Sequence, residues 1–206
     1  INFSTGAPAN CAYAKEACGI QRILTARKLL AAVDCPPLDG MRMVEDLLGE
    51  VTGAEKLLAR LRALLPAGWI QRALPAVQPQ QDAVILFTSG SERAPKAVPL
   101  THANLASNIH ASGQALALGS DDVMMSILPF FHVFGITVNL WLPLVTGMRA
   151  VTWASPLDYE NIPRLVREER ATVLAGTPIF LKAYLEGAGP GDFASLRLVV
   201  AGADRL

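Results

Sequence analysis

From Ala83 onward one repeated pattern restricts the fold more than any other feature. Short apolar runs of strand length alternate with longer segments whose apolar residues recur at helical steps. The runs are Val84-Ile85-Leu86-Phe87, Val123 to Leu128, Ala150 to Trp153, Val173-Leu174-Ala175 and Leu198-Val199-Val200. One helical segment runs from His102 to about Leu118, capped by Thr101 and ended by Gly119. A second spans Gly135 to Val145 and stops at Gly147; Ile162, Leu165 and Val166 mark a third. Strands that alternate with helices pair in parallel and are covered on both faces. The expected class is therefore α/β, a mostly parallel sheet with helices on both faces. Val84 to Phe87 is unbroken, as a strand covered on both sides would be.

Residues 1–82 are organised differently and are taken as a partial N-terminal subdomain and linker, with residues 83–206 as the sheet-forming subdomain. Ile1-Asn2-Phe3 is extended, residues 10–18 are helical up to Gly19, Arg22 to Thr25 is a strand, and Lys28 to Val33 a helix. Pro36-Pro37 closes that unit. Across residues 41–65, Val44, Leu47, Leu48, Val51, Leu57, Leu58, Leu61, Leu64 and Leu65 recur at three- and four-residue steps, weakened at Gly49 and Gly53. This amphipathic stretch admits two readings. It is a helix or two lying on the domain, or, with Trp69-Ile70 beyond it, a surface that touches a membrane or a partner. Residues 75–82, with Pro75, Pro79 and three glutamines, form a polar linker.

Composition works by exclusion. Eighteen basic residues balance eighteen acidic ones, so no net field favours nucleic acid. The hydrophobic share is 51% and the charged share 17%, which suits a buried sheet, a membrane-adjacent protein or part of something larger. The chain opens at Ile1 without signal-peptide character and closes at Leu206 just past a strand-like run, so sequence is expected beyond both ends. Cys11, Cys18 and Cys35 lack metal-ligand spacing and are expected to be inert thiols in a reducing compartment. That places the chain in the cytoplasm, or at the inner face of a membrane if the amphipathic stretch docks. Met124 to Val145 is long enough to span a bilayer, but Pro129 and Pro143 divide it and Ser126, His132 and Asn139 interrupt it. Buried core is the expectation.

Candidate chemistry sits in Phe87-Thr88-Ser89-Gly90-Ser91-Glu92-Arg93-Ala94-Pro95-Lys96, at the carboxyl end of a strand. Ligands of open α/β sheets bind at such ends. Three hydroxyls offer donors, Gly90 lets the backbone approach an anion, and Lys96 adds charge. A solvated polar turn has the same composition. The spacing is not that of a P-loop, which ends in Gly-Lys-Ser/Thr.

The order of residues resembles the signature of the adenylate-forming superfamily, which includes acyl-CoA synthetases, luciferases and peptide-synthetase adenylation domains. The family pattern is T-S-G-[ST]-T-G-x-P-K-G, with Thr-His five residues after the Lys, as at Thr101-His102 here. Leu128 to Gly135 resembles the family's LPLFH segment, Ala175 to Leu181 the segment before its last large helix, and Val199 to Leu206 its GGA-x-L turn. Glu92 and the character of residues 1–82 give a narrower resemblance, to the acyl-ACP synthetase half of the bacterial bifunctional 2-acylglycerophosphoethanolamine acyltransferases.

The resemblance implies part of the N-terminal domain of an ATP-dependent ligase that turns a fatty acid into an acyl-adenylate and passes it to acyl carrier protein or CoA. ATP and Mg²⁺ are the implied cofactors. Thr88, Ser89, Gly90, Ser91, Glu92 and Lys96 would meet the phosphates. His132 would lie near the α-phosphate and the acyl carboxylate; read alone, it is a core histidine. Gly202, Ala203 and Asp204 would lie against adenine and acyl chain. Phe131, Phe134 and Trp141 are either an acyl tunnel or plain core. No metal ligand is assigned. The family's Mg²⁺ carboxylate, ribose-binding Asp and catalytic C-terminal Lys do not occur within these residues, so the isolated chain is expected not to form acyl-adenylate. Arg93 and Ala97 stand where the family has glycines. They motivate the alternative of a non-catalytic acyl- or nucleotide-binding module.

Overall fold

The computed structural model describes residues 7–88 and 96–203. The chain divides into two units, residues 1–81 with 87–98 and residues 82–86 with 99–206.

In the first unit, α1 (Ala7–Cys18) ends at Gly19. β1 (Ile23–Thr25) and β2 (Met41–Met43) pair in parallel, with Ile23 opposite Met41 and Thr25 opposite Met43. α2 (Arg27–Ala32) connects them and packs Leu30 with Cys35, Met41 and Met43 in a small core. The stretch from residue 41, expected to be helical, therefore begins as a strand. Pairing with β1 overrides helical periodicity there, and α3 (Val44–Glu50) starts only afterwards. α4 (Gly53–Ala63) starts on a capping box: the Thr52 hydroxyl accepts the Glu55 N–H at 3.3 Å, and the Glu55 carboxylate accepts the Thr52 N–H at 2.8 Å. α5 (Ala67–Ala73) follows Pro66.

β3 (Asp82–Phe87) and β4 (Ala97–Thr101) form a two-stranded sheet of their own. The expectation of a strand covered on both faces at 84–87 is corrected: Ile85 is exposed. With β4 as its partner, β3 stands outside the larger sheet, so its apolar run is not enclosed by helices.

In the second unit, α6 (His102–Ala115) opens on Thr101, whose hydroxyl accepts the Asn104 N–H at 3.2 Å. It ends before Gly119, and Ala117 takes the left-handed turn at φ 48°. β5 (Val123–Ser126), β6 (Arg149–Thr152), β7 (Val173–Gly176) and β8 (Leu198–Ala201) form a parallel sheet in the order β6-β5-β7-β8. Met124 pairs with Ala150 on one side and Val173 on the other. Between β5 and β6 the chain runs through α7 (Val133–Ile136), a π-helical stretch at Thr137–Trp141 and α8 (Leu142–Thr146), stopped by Gly147 as expected. Among the described residues no helix is long and apolar enough to cross a membrane.

Alternation along the strands builds two cores. Met125 and Leu174 face α9 (Asn161–Glu168) and α10 (Pro178–Gly187) through Ile162, Val166 and Tyr184. Met124 and Val173 face Ile109 of α6 and Leu142 of α8. Full burial of each such side chain contributes about 1.5–3 kcal/mol. The sheet is thus parallel with helices on both faces.

Its amino edge is tied by one carboxylate. Asp122, just before β5, accepts from Arg197 Nε at 2.7 Å, Arg197 Nη2 at 2.5 Å, Thr172 Oγ1 at 2.7 Å and the Gly119 N–H at 3.1 Å. Arg197 and Thr172 immediately precede β8 and β7. The Arg197 guanidinium holds the Asp122 carboxyl well below the usual range; burial opposes this, and Thr172 and Gly119 reinforce it. Asp122→Asn should lower unfolding stability by about 2 kcal/mol at neutral pH, the scale of a disrupted buried hydrogen-bond set. A depressed carboxyl adds stability that is complete above the ordinary Asp value near pH ~4 and lost as pH falls through the folded value. Urea unfolding at pH 7 and pH 3 should therefore find the gap between native and variant chains narrower in acid.

Candidate functional site

Because the strands are parallel, β5, β7 and β8 end along one edge. β5 leads into Ile127–His132, β7 into Thr177 and β8 into Gly202-Ala203. Loops at this edge are where open α/β sheets hold ligands.

The turn after β5 folds back on itself. A Cβ at Gly135 would stand 2.1 Å from the Pro129 carbonyl oxygen, so only glycine permits the approach. The His132 N–H donates to that carbonyl at 3.2 Å, and the Ile136 N–H donates to the His132 carbonyl at 2.9 Å. His132 caps α7 with its ring exposed and tilted against Phe131, centroids 4.5 Å apart. It is an exposed residue, not the core histidine that its sequence position alone would favour.

Two residues absent from the expected site hold this turn. Pro143 has no N–H for the Asn139 carbonyl four residues earlier, and the Ser126 hydroxyl donates to that carbonyl at 3.2 Å instead. The buried Asn139 side chain, oriented with its oxygen toward the strand, accepts the N–H of Leu128 at 2.6 Å and of Ile127 at 3.1 Å. The signal was available as two polar residues inside the very apolar run 124–145, since buried polar groups find hydrogen-bond partners.

The end of β8 meets the same turn. The Gly202 N–H donates to the Gly176 carbonyl at 3.1 Å, and a Cβ on Gly202 would stand 3.1 Å from the Phe134 ring. Ala203 follows at φ 65°, a left-handed conformation that costs a non-glycine residue about 1–2 kcal/mol. Strain of this kind gathers where surrounding structure enforces a site.

Phe134 also lines an apolar cavity of about 310 Å³, at the small end of ligand pockets. Met124, Val173 and Val200 form its sheet wall, Val138 and Leu142 its helical wall, and Ser112 of α6 adds a hydroxyl. Of the three aromatics considered for a tunnel, Phe134 alone is among these walls. Trp141 packs in the core with Ile109 and Met124, and Phe131 stacks on His132.

In the first unit, the base of the hydroxyl-rich loop is pinned. The Thr88 N–H donates to the Lys96 carbonyl at 3.0 Å, and the Lys96 N–H donates to Thr88 Oγ1 at 3.1 Å. Thr88 spends an acceptor on closure and keeps its O–H to donate. Among the described residues, no ion pair engages the Lys96 ammonium. Ser89, Gly90, Ser91, Glu92, Arg93 and Asp204 lie outside the described residues.

Fold and site define an α/β protein with an apolar cavity on one face of a parallel sheet, walled by Phe134 where that cavity nears the carboxyl edge. Residues 3–206 match the AMP-binding enzyme family, and the chain belongs to it. It is 32% identical over 143 residues to an acyl-CoA ligase of Ajellomyces capsulatus, covering 68% of this chain and 24% of that one. It is 28% identical over 157 residues to a p-hydroxybenzoic acid–AMP ligase of Mycobacterium tuberculosis, covering 76% of this chain and 22% of that one. The chain thus spans about a quarter of the length of these relatives. Its fold matches O-succinylbenzoate coenzyme A synthetase from Bacillus subtilis in complex with AMP, at a TM-score of 0.74 and 19% identity over 98% of this chain and 47% of that chain. The same synthetase has been solved with ATP and a magnesium ion.

Gly135→Ala should destabilise the second unit by about 3 kcal/mol, the upper end for overpacking, because the clash is with backbone. Gly202→Ala should cost less than half of that, since the Phe134 ring can shift. Thermal unfolding of the two variants checks the order.

Proposed function

We propose that this chain is the phosphate- and acyl-binding portion of a ligase that activates a fatty acid as its acyl-adenylate. The observation that carries the reading is Phe134, which both walls the apolar cavity and packs against Gly202 at the strand edge bearing the His132 turn. An apolar tail and a reactive carboxylate need an apolar chamber with polar groups near it; in this reading the cavity takes the tail and the His132 turn meets the carboxylate.

When bound, ATP supplies the adenylyl group that activates the carboxylate and releases pyrophosphate. In this reading Lys96 neutralises the outer phosphates, while Thr88, Ser89 and Ser91 donate hydroxyl hydrogen bonds and Gly90 brings the backbone close. Glu92 and Arg93 oppose one another in charge beside them. His132 stands exposed to donate to an anionic oxygen, and Gly202, Ala203 and Asp204 present the main chain to adenine and acyl group. Among the described residues no three His, Cys, Asp or Glu side chains gather to hold a metal. Mg²⁺ fits as an ion carried on the phosphates, which matches its preference for few protein ligands.

The acceptor is the finer part of the proposal. Glu92 supports the thiol of acyl carrier protein, as in the acyl-ACP synthetase half of a lysophospholipid acyltransferase; the relatives named above support CoA. A non-catalytic binding module rests on Arg93 and Ala97. Ala97, however, begins β4, where alanine suits extended backbone better than glycine does. That departure therefore does not argue for a disabled loop.

Lys96→Ala should weaken binding of ATP with Mg²⁺ by about tenfold or more, the scale of one charge-assisted contact. Calorimetric titration of both chains measures it, and unchanged affinity would sink the phosphate reading. With fatty acid, ATP, Mg²⁺ and hydroxylamine, these 206 residues alone should yield hydroxamate only at background. In a longer protein carrying the rest of the catalytic set, pyrophosphate release should depend on Lys96, and offering CoA or acyl carrier protein separately identifies the acceptor.

A further inference from the structure

The first unit has an apolar surface that its own core does not use. Neither α3, α4 nor α5 contains a buried residue. On α4, Leu57, Leu58 and Leu61 are 58%, 48% and 55% exposed, and Leu64 just beyond its end is 81% exposed. Trp69 and Ile70 on α5 are 66% and 40% exposed. At 3.6 residues per turn, the four leucines fall within an arc of about 120°. Arg60 lies on one edge of that arc and Arg62 on the other. Long basic side chains at the edges of an apolar stripe can run along it and place their charges at headgroup level.

The local charge separates this segment from the rest of the chain. Residues 53–74 hold Lys56, Arg60, Arg62 and Arg72 against Glu55 alone, a net charge of +3 in a chain whose total is zero. Among the described residues, no ion pair engages any of these four cations. Nearby Arg27 and Arg42, by contrast, are held by Asp46 and Glu50 at 2.7 Å and 2.6 Å. Exposed leucines, an exposed tryptophan and uncommitted cations coincide in one stretch.

We propose that α4 and α5 form a docking surface for an anionic phospholipid membrane. The helices lie in the interface plane, with leucines and Trp69 entering the acyl boundary and the four cations meeting phosphate headgroups. A second copy of the chain fits less well, because a two-fold contact through this face would set +3 against +3. No residue of α4 or α5 lines the cavity or belongs to the Thr88–Lys96 segment, so the test needs neither ATP nor turnover.

The experiment sediments the whole chain with vesicles of phosphatidylglycerol and phosphatidylcholine, or of phosphatidylcholine alone. Binding to the anionic vesicles should be about tenfold tighter or more and should weaken as salt rises. Trp69 fluorescence should shift to the blue, and Trp69→Phe should remove that shift. Arg60→Gln with Arg62→Gln should weaken anionic binding by about tenfold. Leu61→Ser with Leu64→Ser should abolish it, while Leu185→Ser, at an exposed leucine of the second unit, should leave it unchanged. All of these positions are exposed, and circular dichroism confirms that the variants fold. Three outcomes overturn the proposal: no vesicle binding, binding unaffected by the Leu61 and Leu64 changes, or self-association through these leucines without any vesicle binding.

Discussion

The carboxyl edge of the second unit can be shaped only because its amino edge is tied, and Asp122 ties it. One carboxylate takes donors from Arg197 and Thr172, which stand at the entries to β8 and β7, while it stands at the entry to β5. An ionised carboxyl with little exposure would be costly alone; the guanidinium and hydroxyl make it a register pin. A slip of one residue would exchange Met124 and Met125 between the two faces and expose both cores. With register held at one end, the other ends of β5, β7 and β8 fall level, which brings the Pro129–His132 turn, Gly176 and Gly202 to one edge.

That edge is built from compensations. Pro143 removes one helical hydrogen bond, the helix passes through a π-helical stretch, and the Ser126 hydroxyl satisfies the carbonyl left over. The widened turn points Asn139 inward, where it holds the main chain of Ile127 and Leu128. Gly135 and Gly202 then allow two backbone approaches that a methyl group would block. Phe134 is left between them, one side on the cavity and the other on the end of β8. The position of His132 thus follows from main-chain constraints around it rather than from its own side chain, whose exposed ring lies tilted against Phe131.

Much of this was legible in the residues and some was not. Thr101 announced the start of α6 and Gly147 the end of α8, because capping hydroxyls and left-handed glycines are local chemistry. The strands of the parallel sheet were legible from their apolar runs, and the family from four ordered segments. β2 was missed because three residues, Met41 to Met43, cannot display a period inside a longer helical pattern. β4 was missed because Pro99 argues against a strand except at an edge, which is where a two-stranded sheet places it. Whether β3 was covered on both faces depended on its partner, which no local pattern names. For Phe131, Phe134 and Trp141 the residue type was the same signal three times; which of them faces the cavity is decided by the helical phase of the 133–146 segment, and the π-helical stretch alters that phase.

The apolar excess of the composition is used in two different ways. In the second unit the central strands consume it: Met124, Met125 and Leu174 disappear between sheet and helices, beside the cavity at Phe134. In the first unit it is displayed, and the charges beside it are displayed as well. Acidic side chains of α3 are neutralised by Arg27 and Arg42, while among the described residues no ion pair engages the basic side chains of α4 and α5. A core-forming helix shows the reverse arrangement, its apolar face covered and its charges spread around the solvent side. The count of leucines could not separate these cases. Their exposure, and the sign and freedom of the charges at their edges, do.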